Sequence, residues 1–361
     1  MSRILLVLGT SSGGVGAHVR SLAQGLAGAG RDVVLAAPPA VLDGFDMAAT
    51  GARVVPIELS DRPRRSDAGT LAQLGRLGAE VDLVHAHGLR AGALAVLGAR
   101  GRTPVIVTLH NGPPQSAPAR AIHAALEATV ARGAALVLVV SPDLGHRLRR
   151  LRAHAIRPAV IAAPPRRAPA SSRHVVRAGL DLAPHTSLAL TVARLAPQKD
   201  LPTLIRAAAR LRDLDLTVAV AGDGPLRGHL QALIDAEQAP VRLLGARSDV
   251  PDLLAAADVV ASSALWEGQP VALQEALLEG AAIVATDAGG TAAVLGDAGL
   301  LVPVGDPEAL ATALRMVLTD GTVRDNLRSR ARERADDLPS VADALGAALT
   351  AYQSVGVARR R

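Results

Sequence analysis

The sequence contains no cysteine, which excludes disulfide bridges and thiolate metal sites from the outset. Aromatic side chains are almost as scarce, with one Trp, one Tyr and one Phe in 361 residues. The cores must therefore be packed from Leu, Val, Ile and Ala. Aromatic platforms for stacking nucleobases are also missing, so nucleic acid is not expected as a partner despite the formal charge of +6. Lysine is the third near-absence. Of 39 basic residues only Lys199 is not arginine, so one compact ammonium has been kept in a chain that uses guanidinium everywhere else. No run of about 18 uninterrupted apolar residues occurs, so no membrane-spanning helix is expected. The amino end, MSRILLVLGTSSGG, reads as a strand entering a glycine loop instead of a signal peptide. Together these absences lead to the expectation of a cytoplasmic protein.

What the sequence does have is alternation. The length exceeds one ordinary core, and two domains of about 170 residues are expected. The runs RILLVL, DVVLAA, RVVPIEL, DLVHAH, PVIVTLH and ALVLVV read as strands. Helical segments separate them: Val15 to Leu26, one from about Asp67, one through Leu97, one from about Ser116 and one after a Ser141 cap. That pattern is an α/β doubly wound parallel sheet. RPAVIAAPPRRAPASSR breaks the pattern and reads as a linker. A second series follows, SLALTVARL, LTVAVAGDG, VRLLG, DVVASS and AIVATD, with helices after Asp200, from about Pro225, after Asp249, from about Gln269 with Pro270 in its first turn, and after Asp306 and Ser340. The expected division is residues 1–163, a linker at 164–172, residues 173–338, and a closing helix at 339–361 that packs back toward the first domain and ends in a basic tail. Charge divides with it. Residues 1–170 hold 20 Arg against 10 acids, a balance of +10, and the remainder holds 19 basic residues against 23 acids, a balance of −4, which together give +6. The basic first half implies an acidic partner such as anionic lipid or a phosphorylated acceptor.

The residues richest in chemistry lie in SALWEGQPVALQEALLEGAAIVATDAGG, which puts Glu267 in the turn after a buried strand and Glu275 inside the next helix. In an open parallel sheet that edge is where ligands bind. A helix amino end also offers N–H groups to a phosphate, and two carboxylates so spaced suit two hydroxyl-bearing parts of one ligand. A sugar and a ribose joined by a diphosphate meet that demand. Arg194 and Lys199 follow an earlier strand, placed to clamp one diphosphate from two sides. Gly13 and Gly14 suit a tight turn where backbone approaches phosphate, though a glycine-rich first loop serves many cofactors. His110 ends a strand at the same kind of edge, and His18 lies one turn into the first helix. His85 and His87 share one face of a strand, but no third ligand of matching spacing accompanies them, so no metal site is expected. Asp213 and Asp215 read as a solvated turn. The run RLRRLRAH, with Arg147, Arg149, Arg150 and Arg152, is either a solvated helix face or a surface for anionic membrane.

The segments VARLAPQKDLPTLIRAAARL, AGDGPLR, LGARSDVPDLLAAADVVASSALWEGQPVALQEALLEGAAIVATDAGG and LVPVGDPEAL, in that order, resemble the carboxyl half of glycosyltransferase family 4. GGVGAH, LVHAHG, VTLHNG and VSPDL extend the resemblance through the amino half. The resemblance implies the GT-B fold, two facing Rossmann-like domains with a deep cleft between them. It also implies a retaining, metal-independent transferase that needs no cofactor beyond a nucleoside-diphosphate sugar with uracil or guanine as its base. By the same resemblance His110, Arg194, Lys199 and Glu267 are the catalytic candidates. Gly13, Gly14, Gly222, Arg247, Val250, Gly268, Gln269 and Glu275 join Arg194, Lys199 and Glu267 in holding the donor, Glu275 at the ribose and Glu267 at the transferred sugar. The implied partners are a nucleotide sugar, an anionic acceptor and the inner face of a plasma membrane. Two places depart from the family pattern: Ala163, Pro164, Pro165 and Arg166 before the linker, and Pro270 where many members have glycine. A nicotinamide-dependent oxidoreductase with Asp32 as its ribose acid, and a noncatalytic protein of the same fold, remain as rival readings.

Overall fold

The computed structural model describes residues 2–356 apart from 12, 61–63, 65, 115 and 116. The helix start expected at Ser116 and the basic tail of Arg359, Arg360 and Arg361 lie outside the described residues. The chain forms two compact units, one of Met1–Ala162 with Pro339–Arg361 and one of Ala163–Leu338.

The first unit runs β1 (Arg3–Leu8), α1 (Gly14–Gly28), β2 (Asp32–Ala37), α2 (Pro39–Gly44), β3 (Arg53–Pro56), α3 (Asp67–Ala79), β4 (Leu83–His87), α4 (Leu89–Ala99), β5 (Val105–Leu109), α5 (Ala117–Gly133), β6 (Leu136–Val139), α6 (Pro142–Arg150) and β7 (Ile156–Pro158). Its strands make one parallel sheet in the order β3-β2-β1-β4-β5-β6-β7. In β1 five of six residues are buried and in β4 all five, as expected of strands covered by helices on both faces. The stretch that reads as a linker begins as structure: Arg157 and Pro158 pair with Leu138 and Val139, so β7 is an edge strand that proline tolerates. Ser141 does precede α6, but its hydroxyl is buried and makes no cap bond.

The second unit runs α7 (Arg173–Gly179), β8 (Ser187–Val192), α8 (Leu201–Ala209), β9 (Leu216–Ala221), α9 (Arg227–Glu237), β10 (Val241–Gly245), α10 (Val250–Ala256), β11 (Val259–Ser262), α11 (Val271–Glu279), β12 (Ile283–Thr286), α12 (Thr291–Leu295), β13 (Leu300–Val302), α13 (Pro307–Thr319) and α14 (Gly321–Asp336). Its parallel sheet has the order β10-β9-β8-β11-β12-β13. The Glu-bearing helix starts two residues later than the sequence suggests. Pro270 has ψ 92, outside the helical range, and stands before the helix instead of in its first turn. The last helix, α15 (Val341–Ser354), belongs to the first unit, where Ala348, Ala351 and Tyr352 enter the core beside Leu22 and Leu26. It opens with a capping box in which Ser340 and Asp343 satisfy each other's backbone N–H groups.

Helix α7 shows no periodic signal in so few residues, and charge fixes it in place. Asp258 Oδ1 accepts from Arg173 Nη2 at 2.6 Å, while its Oδ2 accepts from Arg177 Nη1 at 3.3 Å and from the Leu188 backbone at 2.8 Å. Burial alone would raise the Asp258 carboxyl, but the Leu188 N–H and the two arginines outweigh it and hold it below the usual range. Asp258→Ala leaves the buried Arg177 without its carboxylate and should destabilise the second unit by about 3 kcal/mol. Urea unfolding of parent and variant at pH 7 measures this, and a shift within error would show that the arginines do not depend on that acid.

Candidate functional site

Because every strand of the second sheet is parallel, the loops after β8 to β12 leave from one edge. Arg194 and Lys199 follow β8, Gly222 follows β9, Arg247 and Val250 follow β10, and Glu267, Gly268 and Gln269 follow β11, with Glu275 one turn inside α11. The strand order reverses between β8 and β11, which is where such sheets open a crevice. Across that gap Lys199 Nζ donates to Glu267 Oε1. Three bonds splice the two loops that carry the pair: Ser263 Oγ to Lys199 O at 2.9 Å, Gln198 Nε2 to Trp266 O at 2.7 Å, and Leu265 N to Gln198 O at 2.9 Å. From the loop after β12, Gly290 N donates to Glu267 O at 2.7 Å. The neighbouring Gly289 has φ +61, and a Cβ there would lie 2.2 Å from Glu267 O. Glu267 is thus held by backbone on two sides, 8% exposed, with a lysine as its counter-charge.

The other expected residues divide. Arg194 is exposed and has no ion-pair partner among the described residues. Gly222, at φ +146, lets the turn after β9 close on the segment carrying Arg194: a Cβ there would lie 2.0 Å from Ala193 O. Its N–H donates to Gly245 O at 2.7 Å, so that N–H is not offered to a donor phosphate. Arg247 forks onto Asp249 at 2.8 and 2.5 Å, its guanidinium occupied within the unit. Val250 and Glu275 line one small recess with Arg167, Pro251 and Leu254. Burial raises the Glu275 carboxyl above its usual range while Arg167 opposes it, a setting that suits a carboxyl meeting hydroxyls. Gly268 is buried, and Gln269 accepts from Gln274 Nε2 at 2.8 Å. Among the described residues no hydrogen bond joins the Lys199 and Glu267 pair to the Glu275 recess. The roles of Gln198, Ser263 and Gly289 in fastening the pair were missed from sequence, and only the Gly289 and Gly290 doublet offered a signal.

The first sheet reverses order between β1 and β4, and the expected residues of that half gather there. Gly13 precedes α1 and Gly14 opens it, and a Cβ at Gly13 would meet nothing within 4 Å, so the space beside it is open. His18 in α1, His85 and His87 in β4 and His110 just past β5 form a cluster, with ring centroids 4.2 Å apart for His85 and His87 and 5.5 to 6.0 Å for the pairs of His18, His87 and His110. His87 Nδ1 lies 3.2 Å from His110 Nε2. His85 meets the Tyr352 hydroxyl at 2.8 Å and Thr108 Oγ1 at 2.7 Å. Burial pushes His18 down to about 4, and burial with help from His18 pushes His85 down to about 3. His87 and His110 are held well below the usual histidine range, first by burial and then by the other rings. Four neutral imidazoles result, and among the described residues no His, Cys, Asp or Glu group is arranged to hold a metal ion.

The basic cluster lies elsewhere. Helices of this fold run back along the strands, so the ends of α5 and α6 sit at the amino edge of the sheet, opposite the histidines. Arg147 is not part of an open patch, since it forks onto the buried Glu127 at 3.0 and 2.7 Å. Arg132, Arg150, Arg152 and His154 line an open recess of about 460 Å³. Asp32 opens β2 at that same amino edge and pairs with Arg3 at 2.5 Å. A ribose-binding acid belongs at the carboxyl end of that strand, so the oxidoreductase reading loses its residue. Asp213 forks onto Arg315 in an exposed turn.

Two family models match the chain, glycosyl transferase 4-like domain over residues 13–164 and glycosyl transferases group 1 over residues 186–320. The lipopolysaccharide core biosynthesis glycosyltransferase LpsE of Rhizobium meliloti is 31% identical over 163 residues, 44% of this chain and 47% of that protein. The chain thus spans about half the length of that relative. The phosphatidyl-myo-inositol mannosyltransferase of Mycolicibacterium smegmatis is 29% identical over 355 residues, 89% of this chain and 85% of that protein. Among solved structures, Anabaena HepE in complex with UDP-glucose superposes with a TM-score of 0.82 at 21% identity, covering 98% of this chain and 100% of that one. No helix among the described residues is long and apolar enough to cross a membrane.

The histidine cluster makes an acid-sensitive fold. An unfolded histidine titrates near 6.5, whereas burial pushes His18 down to about 4 and His85 down to about 3, so between those values the unfolded chain binds protons that the folded unit refuses. Stability is complete above pH 6.5 and falls toward pH 4 by about 1.4 kcal/mol per pH unit for each of these two histidines. Urea unfolding at pH 7.5, 6 and 5 should show that loss, with His18→Asn removing about one proton from the slope. A midpoint that stays flat across the range would show that these rings are not buried neutral.

Proposed function

The chain belongs to the glycosyltransferase family 4 type, with two parallel-sheet Rossmann-like units of GT-B kind, and from that premise we propose that it is a retaining, metal-independent glycosyltransferase using a UDP- or GDP-sugar. The observation that carries this reading is the Lys199 and Glu267 pair at the order reversal of the second sheet. A diphosphate arriving there meets the Lys199 ammonium and the exposed Arg194, which take the place of a divalent cation in offsetting the charge that grows as the sugar leaves. Glu267, freed from its lysine by the phosphate, accepts from hydroxyls of the transferred sugar, and the half-buried Glu275 accepts from ribose. The anomeric carbon loses its phosphate oxygen and gains the acceptor oxygen on the same face, while the leaving phosphate takes the acceptor proton. No cofactor beyond the nucleotide sugar is required.

The first unit is assigned to the acceptor. The names of LpsE and of the inositol-lipid mannosyltransferase support an anionic lipid or envelope glycan precursor, and with it peripheral work at the inner face of the plasma membrane. The histidine edge of this unit is neutral, which suits hydroxyls, with His110 lining the reacting end.

Calorimetry with UDP, GDP and NAD on parent and Lys199→Ala tests the donor assignment. UDP or GDP should bind the parent and lose about tenfold or more in the variant, with turnover down roughly a hundredfold. Turnover should survive EDTA, and the product should keep the donor's anomeric configuration. Tight NAD binding that ignores the substitution would defeat the reading, and UDP or GDP binding with no transfer or hydrolysis would favour a noncatalytic protein of this fold.

A further inference from the structure

His87 is the one ring of the cluster with a stranded atom. Its Nε2 is buried and has no hydrogen-bond partner among the described residues, while its Nδ1 faces His110 Nε2 at 3.2 Å. His85 lies tilted beside it, 4.2 Å between centroids, but cannot serve it, because both His85 nitrogens are taken by the hydroxyls of Tyr352 and Thr108. Among the described residues the only polar partner of the His87 ring is therefore His110. Two neutral imidazoles in contact share one hydrogen, and either ring can supply it.

The stranded atom decides which. A buried N–H without an acceptor is among the rarest features of a folded protein and forfeits a full donor, whereas a bare ring nitrogen forfeits only a lone pair. If His110 donated, His87 would have to carry its proton on the stranded Nε2. If His87 donates from Nδ1, its Nε2 is bare and the cost is the smaller one. His110 Nε2 then accepts, and its own proton sits on Nδ1, which has no partner among the described residues but, unlike His87 Nε2, is not sealed from solvent.

We propose that His87 is a positioning residue that donates from Nδ1 to His110 Nε2, locking His110 as a hydrogen-bond donor through Nδ1 toward whatever ligand oxygen reaches the carboxyl edge of β5. The lock is anchored below by His85, which Tyr352 of α15 and Thr108 of β5 hold from two sides. His110 then acts on a substrate oxygen by donating, and its basic nitrogen is not available to remove a proton. The groups facing His87 are His18, His85 and His110, with Tyr352 behind His85, and all are neutral at pH 7.

The catalytic consequence rests on the reading of His110 as lining the reacting site, but the lock itself does not, so the test reads the two apart. Two-bond proton–nitrogen spectra of the ¹⁵N-histidine-labelled full chain distinguish the two tautomers, with His110→Asn and His87→Asn serving to assign the signals. In the parent, His110 should carry its proton on Nδ1 alone. His87→Leu, which fills the space without a donor, should let the proton redistribute to Nε2. The amide nitrogen of His87→Asn stands where Nδ1 stood and should restore the parent tautomer. Hydrolysis of UDP-glucose and of GDP-mannose, whichever the parent turns over, should fall about tenfold in kcat at unchanged KM in the Leu variant and recover in the Asn variant. A parent spectrum with His110 protonated on Nε2, or a tautomer indifferent to His87→Leu, overturns the proposal, and the parent spectrum decides alone if the Leu variant does not fold. The expected tautomers with unchanged turnover would uphold the lock and defeat the placing of His110 at the reacting end.

Discussion

A chain with three aromatic residues has to make its cores from sheets of Leu, Val, Ile and Ala, and everything else in this protein follows from that constraint. Such strands bury both faces, which requires helices above and below and therefore parallel strands joined by crossovers. Parallel strands send every strand-to-helix loop to one edge. Where the strand order reverses, at β1 and β4 in one unit and at β8 and β11 in the other, adjacent loops diverge and leave room. The packing problem thus dictates where a ligand can bind before any polar residue is chosen. Gly13, His18, His87 and His110 in one unit, and Lys199, Gly222 and Glu267 in the other, are the residues that this geometry puts beside the two openings.

At the second opening the chemistry is ionic. A carboxylate as buried as Glu267 needs a counter-charge, and an unpaired one would cost several kcal/mol. Lys199 supplies it, its segment fastened by Ser263 Oγ donating to the Lys199 carbonyl and by Gln198 Nε2 donating to the Trp266 carbonyl. Under the proposed function the ammonium exchanges one anion for another when the diphosphate arrives, while the acid turns to neutral hydroxyls. The exchange needs little reorganisation, since the loops are already spliced. Arg194 stands exposed nearby in sequence, on the segment that Gly222 allows the next turn to approach.

The parts legible in the sequence are those with a short-range signal. The alternation of apolar runs and helical segments marks the two sheets, and Lys199 stands out as the lone lysine. Glu267 and Glu275 are legible from their places after a buried strand and within the next helix. Pro270 misleads, because proline before a helix and proline in its first turn look alike, and only the ψ of 92 separates them. β7 hides because its proline reads as linker, and α7 because seven residues carry too little periodicity. The bonds of Gln198 and Ser263 span more than 60 residues and leave no local trace. The same holds for Tyr352, whose meeting with His85 joins positions 267 residues apart.

The two openings differ in the kind of charge they can tolerate, and that difference accounts for where the arginines are. The first unit carries the excess of positive charge, yet its opening is lined by rings that burial keeps neutral, His18 among them down to about pH 4. Arginines beside those rings would depress them further and would draw water into a pocket whose polarity depends on exclusion of it. Arg132, Arg150 and Arg152 instead crowd the opposite edge, where long guanidinium chains remain solvated and leave the core undisturbed. The guanidinium charge and the neutral rings are thereby separated by the length of the strands. The arginines at one edge therefore leave undisturbed the protonation of the rings at the other.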